Sequence, residues 1–228
     1  PEQAVLEAKI SGAKSIAYTY TEPTIFFEYA FEIAKLAKKE GILNVFVTNG
    51  FITEDAVREI SPYLTAANID LKSFRESTYR RVMKGSLKGV LEGIEAYRKY
   101  GVWVEITTLV VPGQNDSDEE LRDIAGYISS LSPDIPWHIS RFYPDYQMLN
   151  GIPTPISRLR RAYEIGKEEG LNFIYLGNVP GDPTESTLCP HCGKIILKRW
   201  GYRILENHIE GGRCAFCKKK IPGVWQVE

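Results

Sequence analysis

Six short runs rich in β-branched and aromatic residues recur along the first 180 positions: SIAYTY (15–20), NVFVTNG (44–50), AANIDLKS (66–73), VWVEITTLVV (102–111), WHISRFYP (137–144) and NFIYLGN (172–178). A helix-periodic stretch lies between each pair. A chain that alternates the two periods in this way folds as an α/β protein, because parallel neighbours need a crossover and the crossover is usually a helix. The strands read as too apolar to face water on either side, so helices are expected to cover the sheet. The two candidates are a partial (β/α)6-type TIM barrel and a doubly wound sheet. In both, chemistry collects at the C-terminal ends of the strands.

The helical stretches carry their own punctuation. Gly12 stops the first, Thr53 caps TEDAVREISPYL, and Lys35, Lys38 and Lys39 stand in the last turns of the stretch 24–40, where cations suit the macrodipole. DSDEELRDIAGYISSL opens on an acidic turn, and ISRLRRAYEIGKEEG closes on Gly170. The pattern before Tyr100 is interrupted near Lys84 to Ser86. Across 228 residues, 43% are hydrophobic and the formal net charge is -1, which excludes a disordered chain and any overall electrostatic footprint for nucleic acid or membrane. No run approaches the roughly 18 apolar residues of a membrane span, and no signal-like segment opens the chain. The expectation is a cytoplasmic protein without a membrane partner. Pro1 stands where an initiator Met would, so a fragment or a processed chain is expected.

Polar residues gather at the strand ends. Thr21-Glu22-Pro23 follows the first run, Thr48-Asn49-Gly50 ends the second, and Asp70 and Lys72 lie in the third. Glu105 and Thr107 lie in the fourth, His138, Ser140, Arg141 and Tyr143 in the fifth, and Gly177-Asn178 ends the sixth. Residues two apart on a strand share a face, so Asp70 and Lys72 are expected to point the same way. Each residue has an ordinary alternative. Asp70 and Lys72 could form a structural ion pair, Glu105 a satisfied core carboxylate, Glu22 a helix cap, and His138 a satisfied histidine. At successive strand ends, together, they favour a polar small-molecule site.

Tyr18-Thr19-Tyr20-Thr21-Glu22-Pro23-Thr24, Val47-Thr48-Asn49-Gly50-Phe51, Asn68-Ile69-Asp70-Leu71-Lys72, Leu109-Val110-Val111-Pro112-Gly113 and His138-Ile139-Ser140-Arg141-Phe142-Tyr143-Pro144 carry a family resemblance. In this order they resemble the radical SAM proteins related to the pyruvate formate-lyase activating enzyme. Within these they are most similar to the AmmeMemoRadiSam-system radical SAM family, which Gly177-Asn178-Val179-Pro180-Gly181 and Cys189-Pro-His-Cys192 also resemble. The resemblance implies a partial (β/α)6-type barrel holding S-adenosylmethionine against a [4Fe-4S] cluster. It implies reductive cleavage of that ligand to a 5'-deoxyadenosyl radical, which abstracts hydrogen from a substrate. On it, Thr21, Glu22 and Pro23 occupy the turn that holds the methionine amino group, with Tyr20-Thr21 in place of paired glycines. Thr48 and Asn49 line the S-adenosylmethionine pocket, Asp70 and Lys72 stand near its carboxylate end, and His138 faces the ribose. His138, Arg141 and Glu105 are the catalytic candidates. Protein partners of the same system are implied as well.

The family's cluster hangs on a Cys-x3-Cys-x2-Cys loop, and Fe–S clusters need such thiolates. All four cysteines of this chain fall instead at Cys189, Cys192, Cys214 and Cys217. The resemblance therefore places the cluster ligands upstream of Pro1 and predicts that residues 1–228 alone are inactive. Two Cys-x2-Cys hooks, 21 residues apart, are spaced like a zinc ribbon. We divide the chain into a barrel, 1–182, and a zinc-ribbon-like domain, 183–228. Between Cys189 and Pro222, Lys194, Lys198, Arg199, Arg203, Arg213, Lys218, Lys219 and Lys220 stand against Glu206 and Glu210, with Trp200 and Tyr202 among them. Such a ribbon suits nucleic acid, or equally a solvated face docking on the barrel or on a protein. The alternative to an enzyme is thus a non-catalytic zinc-ribbon module that recognises RNA or a protein partner.

Overall fold

The computed structural model describes residues 1–225. Each expected run forms a strand: β1 (Ser15–Tyr18), β2 (Leu43–Thr48), β3 (Ala66–Asp70), β4 (Trp103–Val110), β5 (Trp137–Arg141) and β6 (Ile174–Gly177). They make one sheet in sequential order, β1-β2-β3-β4-β5-β6, and β1–β2, β2–β3, β4–β5 and β5–β6 pair in parallel. The helices are α1 (Glu2–Ile10), α2 (Phe27–Lys39), α3 (Glu54–Ile60), α4 (Glu76–Thr78), α5 (Leu87–Lys99), α6 (Asp118–Leu131) and α7 (Ile156–Glu168). The interruption before α5 is a wide turn at Tyr79–Met83 that ends on left-handed Lys84. Thr53, Ser86 and Ser117 cap α3, α5 and α6 through their hydroxyls.

The strands differ from expectation in one respect. Burial alternates with period two: Asn44, Phe46 and Thr48 of β2, Val104, Ile106, Thr108 and Val110 of β4, and Trp137 and Ile139 of β5 are buried. Their neighbours Val45, Glu105, Thr107, His138 and Ser140 are half-buried. One face is covered and the other open, so the near-continuous apolar run of β4 does not mark a strand buried on both sides. The physical reason lies in residue type: Thr107 and Leu109 are β-formers that pass for core in a one-dimensional pattern.

Two compact units make up the chain, Pro1–Leu71 with Arg75–Glu105, and Lys72–Phe74 with Ile106–Glu228. In the first unit, Asn44 is fully buried, accepts from the Tyr18 hydroxyl (2.8 Å) and donates to the carbonyls of Ala34 (3.0 Å) and Tyr63 (2.9 Å). An amide so satisfied costs little to bury, and burial pushes the Tyr18 phenol well above its ordinary pKa. Gly93 of α5 lies against Gly50, where a Cβ would come 2.1 Å from the Gly50 carbonyl oxygen.

In the second unit, α7 packs on β5 and β6 through Gly166, whose missing Cβ leaves room for Trp137 and Ile174. Beyond β6, β7 (Thr187–Leu188), β8 (Ile195–Trp200) and β9 (Arg203–Asn207) form a three-stranded antiparallel sheet, and β10 (Ile209–Glu210) pairs with β11 (Arg213–Cys214). Their apolar centre is small: Ile196, Ile221, Cys189 and Cys214, together with Phe173 from the edge of β6. Among the described residues no helix is long and apolar enough to cross a membrane.

Candidate functional site

Glu22 follows β1 in a turn and is 7% exposed. A buried carboxylate needs compensation, and here neutral donors supply it. Oε1 accepts from the hydroxyls of Thr48 (2.7 Å) and Thr24 (3.1 Å), and Oε2 accepts from the backbone N–H of Asn49 (2.7 Å). The Thr48 hydroxyl in turn accepts from Gly50 N–H (3.1 Å). Glu22 thus ties the β1–α2 turn to the end of β2. Replacing it with Gln, which cannot accept at both ends, is expected to cost about 1–3 kcal/mol of stability. A urea melt reads this directly, and an unchanged midpoint would show that the buried network contributes nothing.

Tyr97 carries no functional signal in a one-dimensional pattern. Its hydroxyl is buried with no hydrogen-bond partner among the described residues, and burial together with the Glu22 charge pushes its phenol far up. On the same unit, Thr21 and Asn49 are exposed, Pro23 is buried and Asp70 is half-buried at the last position of β3. Glu105 accepts from the Trp103 indole N–H (3.1 Å). The Asp70 carboxylate, the Thr21 hydroxyl and the Asn49 amide, whose Oδ1 already accepts from Phe51 N–H (2.8 Å), are of the kinds that ammonium groups and sugar hydroxyls bind, a donor set compatible with S-adenosylmethionine.

Lys72 does not continue the strand, because β3 ends at Asp70. The burial alternation nevertheless runs on past the strand's end, with Leu71 fully buried and Asp70 and Lys72 on either side of it half-buried. Lys72 belongs to the second unit, in a loop fixed from below. Asn115, 3% exposed, donates from Nδ2 to the carbonyls of Lys72 (2.6 Å) and Leu109 (2.8 Å) and accepts from Val111 N–H (2.7 Å). Buried Glu120 accepts from the Ser73 hydroxyl and from Phe74 N–H (2.8 Å). In sequence, Ser117-Asp-Glu-Glu120 reads as a capping box, whose Glu would turn back on its own helix. The longer-range bonds to 73 and 74 are what a local pattern misses.

At the ends of β5 and β6, Arg141 donates from Nε to the Thr154 carbonyl (2.8 Å) and from Nη1 to the Tyr143 hydroxyl (2.8 Å), over whose ring it lies. Asn178 donates to the Arg141 carbonyl (3.1 Å). His138 stacks on Tyr175, its partner across the β5–β6 ladder, with ring centroids 5.2 Å apart. The sequence candidates are thus distributed over two units: Thr21, Glu22, Pro23, Thr48, Asn49, Asp70 and Glu105 on the first, Lys72, His138 and Arg141 on the second.

Cys189, Cys192, Cys214 and Cys217 come together, their sulfurs all within 4.8 Å of one another. Each hook is built the same way. Gly193 N–H returns to the Cys189 carbonyl (2.9 Å) and Cys189 N–H to that of Lys194 (2.8 Å). Lys218 N–H returns to Cys214 (2.8 Å) and Cys214 N–H to Lys219 (2.9 Å). Gly193 and Lys218 hold equivalent left-handed positions, φ 70° and 61°, a conformation that costs Lys more than Gly. Sulfur separations are 3.7 Å for Cys189–Cys217 and 3.8 Å for Cys192–Cys214. Burial pushes both the Cys189 and Cys214 thiols up, but at Cys214 the N–H groups of Cys217 and Phe216 and the neighbouring Cys217 and Cys189 thiols together outweigh it and bring the thiol down to about 7.

The model of the Radical SAM superfamily matches residues 1–125. The chain belongs to the radical SAM superfamily. This radical SAM chain is 38% identical over 224 residues to the uncharacterized protein MJ0808 of Methanocaldococcus jannaschii, covering 97% of itself and 66% of that protein. It is 27% identical over 104 residues to the pyruvate formate-lyase-activating enzyme of Clostridium pasteurianum, covering 46% of itself and 43% of the enzyme. The chain thus spans two thirds or less of these relatives. A domain of the pyruvate-formate lyase-activating enzyme from Bacteroides vulgatus shares its fold, with a TM-score of 0.61 and 19% identity over 72% of this chain and 98% of that one. The expected kinship with activating enzymes holds.

The four-cysteine group does not suit the superfamily's iron-sulfur cluster. In a four-iron cluster each thiolate takes a different iron, and thiolates on separate irons stand wider apart than this tetrad. No other cysteine exists in the 228 residues.

Proposed function

We propose that this chain provides the S-adenosylmethionine-binding walls of a radical SAM enzyme of the AmmeMemoRadiSam-system type, a barrel at 1–182 joined to a zinc ribbon at 183–228 whose last three residues lie outside those described. Bound there, S-adenosylmethionine supplies a sulfonium that is cleaved reductively to methionine and a 5'-deoxyadenosyl radical. The observation that carries the reading is the set of strand-end groups Glu22, Thr48, Asn49 and Asp70 on a chain of this superfamily. Glu22 and Thr48 hold the turn, and Asn49, Asp70 and Glu105 are the first unit's polar candidates for the ligand; Lys72, His138 and Arg141 are those of the second. The thiolates of an iron-sulfur cluster serving that reaction come from outside residues 1–228, so these residues alone produce no radical. A cytoplasmic setting suits four free thiols.

For the ribbon we propose Zn²⁺. A tetrahedral ion with thiolate arms of about 2.3 Å requires sulfur–sulfur edges of about 3.8 Å. The tetrad's separations of 3.7 and 3.8 Å support this reading.

Equilibrium dialysis tests the first proposal. S-adenosylmethionine is expected to bind residues 1–228, and Asp70→Ala to weaken binding about tenfold, the equivalent of about 1.4 kcal/mol of charge-assisted bonding. Unchanged affinity with a lower melting temperature would make Asp70 structural. No binding to the unsubstituted chain would remove the reading of the walls altogether.

A further inference from the structure

A cavity of about 630 Å³ lies in the second unit, between the β5–β6 strand ends and the hairpin joining β8 to β9. Its lining includes His138, Tyr175, Glu185, Arg199, Trp200 and Tyr202. One side is a stack: His138 lies on Tyr175, and the Arg199 guanidinium stands 5.7 Å from the Tyr175 ring centre. The ribbon locks this stack. The Tyr175 hydroxyl bonds the Thr187 hydroxyl (2.9 Å), which also accepts from Arg199 Nη1 (3.0 Å).

The other side is the hairpin tip. Glu185 Oε2 accepts from Gly201 N–H (3.0 Å), which fixes the turn. Trp200 lies over Gly181, where any Cβ would come 3.1 Å from its ring. Trp200 is nevertheless 62% exposed and Tyr202 fully so. Two large aromatic side chains thus stand exposed at the mouth of the cavity, where their faces are open to a ligand.

From these observations we propose that the cavity binds a nucleobase, stacked on the hairpin's aromatic side chains, with its sugar-phosphate toward the ribbon. Aromatic faces and arginine planes bind unstacked bases in this way. Among the described residues Glu185 Oε1 and Asn178 Oδ1 accept no hydrogen bond, since Glu185 uses Oε2 and Asn178 donates from Nδ2. Both residues line the cavity and offer acceptors to a base with an amino edge. Lys198, Arg199 and Arg203 stand against Glu206, which pairs with Lys198 (2.8 Å), and the cavity's own Glu185, leaving one positive charge in excess for a phosphate. An aromatic side chain of a peptide would satisfy the rings but leave both acceptors and the cations unmatched. His138 is common to this cavity and to the S-adenosylmethionine reading, and dependence on Trp200 and Tyr202, which that reading does not use, tells the two apart.

Calorimetric titration of the metal-loaded chain tests it with adenosine 5'-monophosphate, tetra-adenylate RNA and N-acetyltyrosinamide as probes. The nucleotide is expected to bind, and Trp200→Ala and Tyr202→Ala each to weaken it about tenfold, the range of one lost base stack. Both residues are exposed, so an unchanged melting temperature will confirm that the variants fold. Tetra-adenylate binding tighter than the monophosphate, with the advantage lost in high salt, identifies the source as single-stranded RNA. Equal affinity identifies a free nucleotide. Absence of binding by both, equal binding to the variants, or binding of N-acetyltyrosinamide alone overturns the proposal.

Discussion

Chelating the ribbon's metal, or replacing Cys214 with Ser, is expected to unfold the chain from about residue 183 onward while β1 to β5 stay folded. The ribbon cannot stand without the ion. Its apolar centre is Ile196 and Ile221 with two cysteines, supplemented by Phe173 ahead of β6 and half-buried Tyr175 within it, and segments of about 40 residues rarely bury enough surface to fold unaided. A structural zinc contributes about 10–16 kcal/mol at neutral pH, far more than those few side chains. The two hooks share one bonding pattern, so losing either leaves the other's thiolates mutually repelling. Hydrogen exchange should show protection lost at Ile196, His208 and Ile221 and retained at Phe46 and Ile106. Elemental analysis should find about one zinc per chain. Full protection after chelation, or no metal at all, would return the tetrad to four independent thiols.

That experiment also bears on the division at 182, since Phe173, just before β6, and Tyr175 within it precede the boundary in sequence yet pack with the ribbon. Strand and helix periodicity made the parallel α/β sheet readable because each crossover repeats the same two periods. The cysteine hooks were readable because metal ligation fixes short spacings. What the sequence hid was long-range. Nothing near Glu120 says that it reaches Ser73 and Phe74, and nothing near Asn115 says that it holds the Lys72 carbonyl. Period two grouped Asp70 with Lys72, but it does not tell that β3 itself stops at Asp70. Glu22 was legible as a strand-end carboxylate, but not as one already satisfied by Thr48 and Asn49. A one-dimensional pattern shows which residue types meet a ligand's end of the sheet; which of them the fold itself uses up depends on contacts tens of residues apart.

Gly93→Ala is expected to destabilise the protein by about 3 kcal/mol or more, the upper end of overpacking costs. Helix propensity alone predicts the opposite sign, because Ala is favoured over Gly in a helix interior by about 1 kcal/mol. Packing decides. The new methyl would stand 2.1 Å from the Gly50 carbonyl oxygen, and backbone cannot swing aside as a side chain does. Nor can Gly50 retreat freely, since it holds a φ of +75° and its own missing Cβ leaves only 2.6 Å to Ile69. Any shift there pulls Asn49 N–H from Glu22 and Gly50 N–H from Thr48, so S-adenosylmethionine affinity should fall along with stability. Gly126→Ala in α6 is the matched control: its Cβ would meet only the Glu169 carboxylate at an ordinary 3.5 Å, and propensity should then raise stability by about 0.5–1 kcal/mol. Urea midpoints moving in opposite directions for the two variants are the expected result. Gly93→Ala unfolding at or above the parent's midpoint would mean that α5 and the β2–α3 turn do not approach as closely as this.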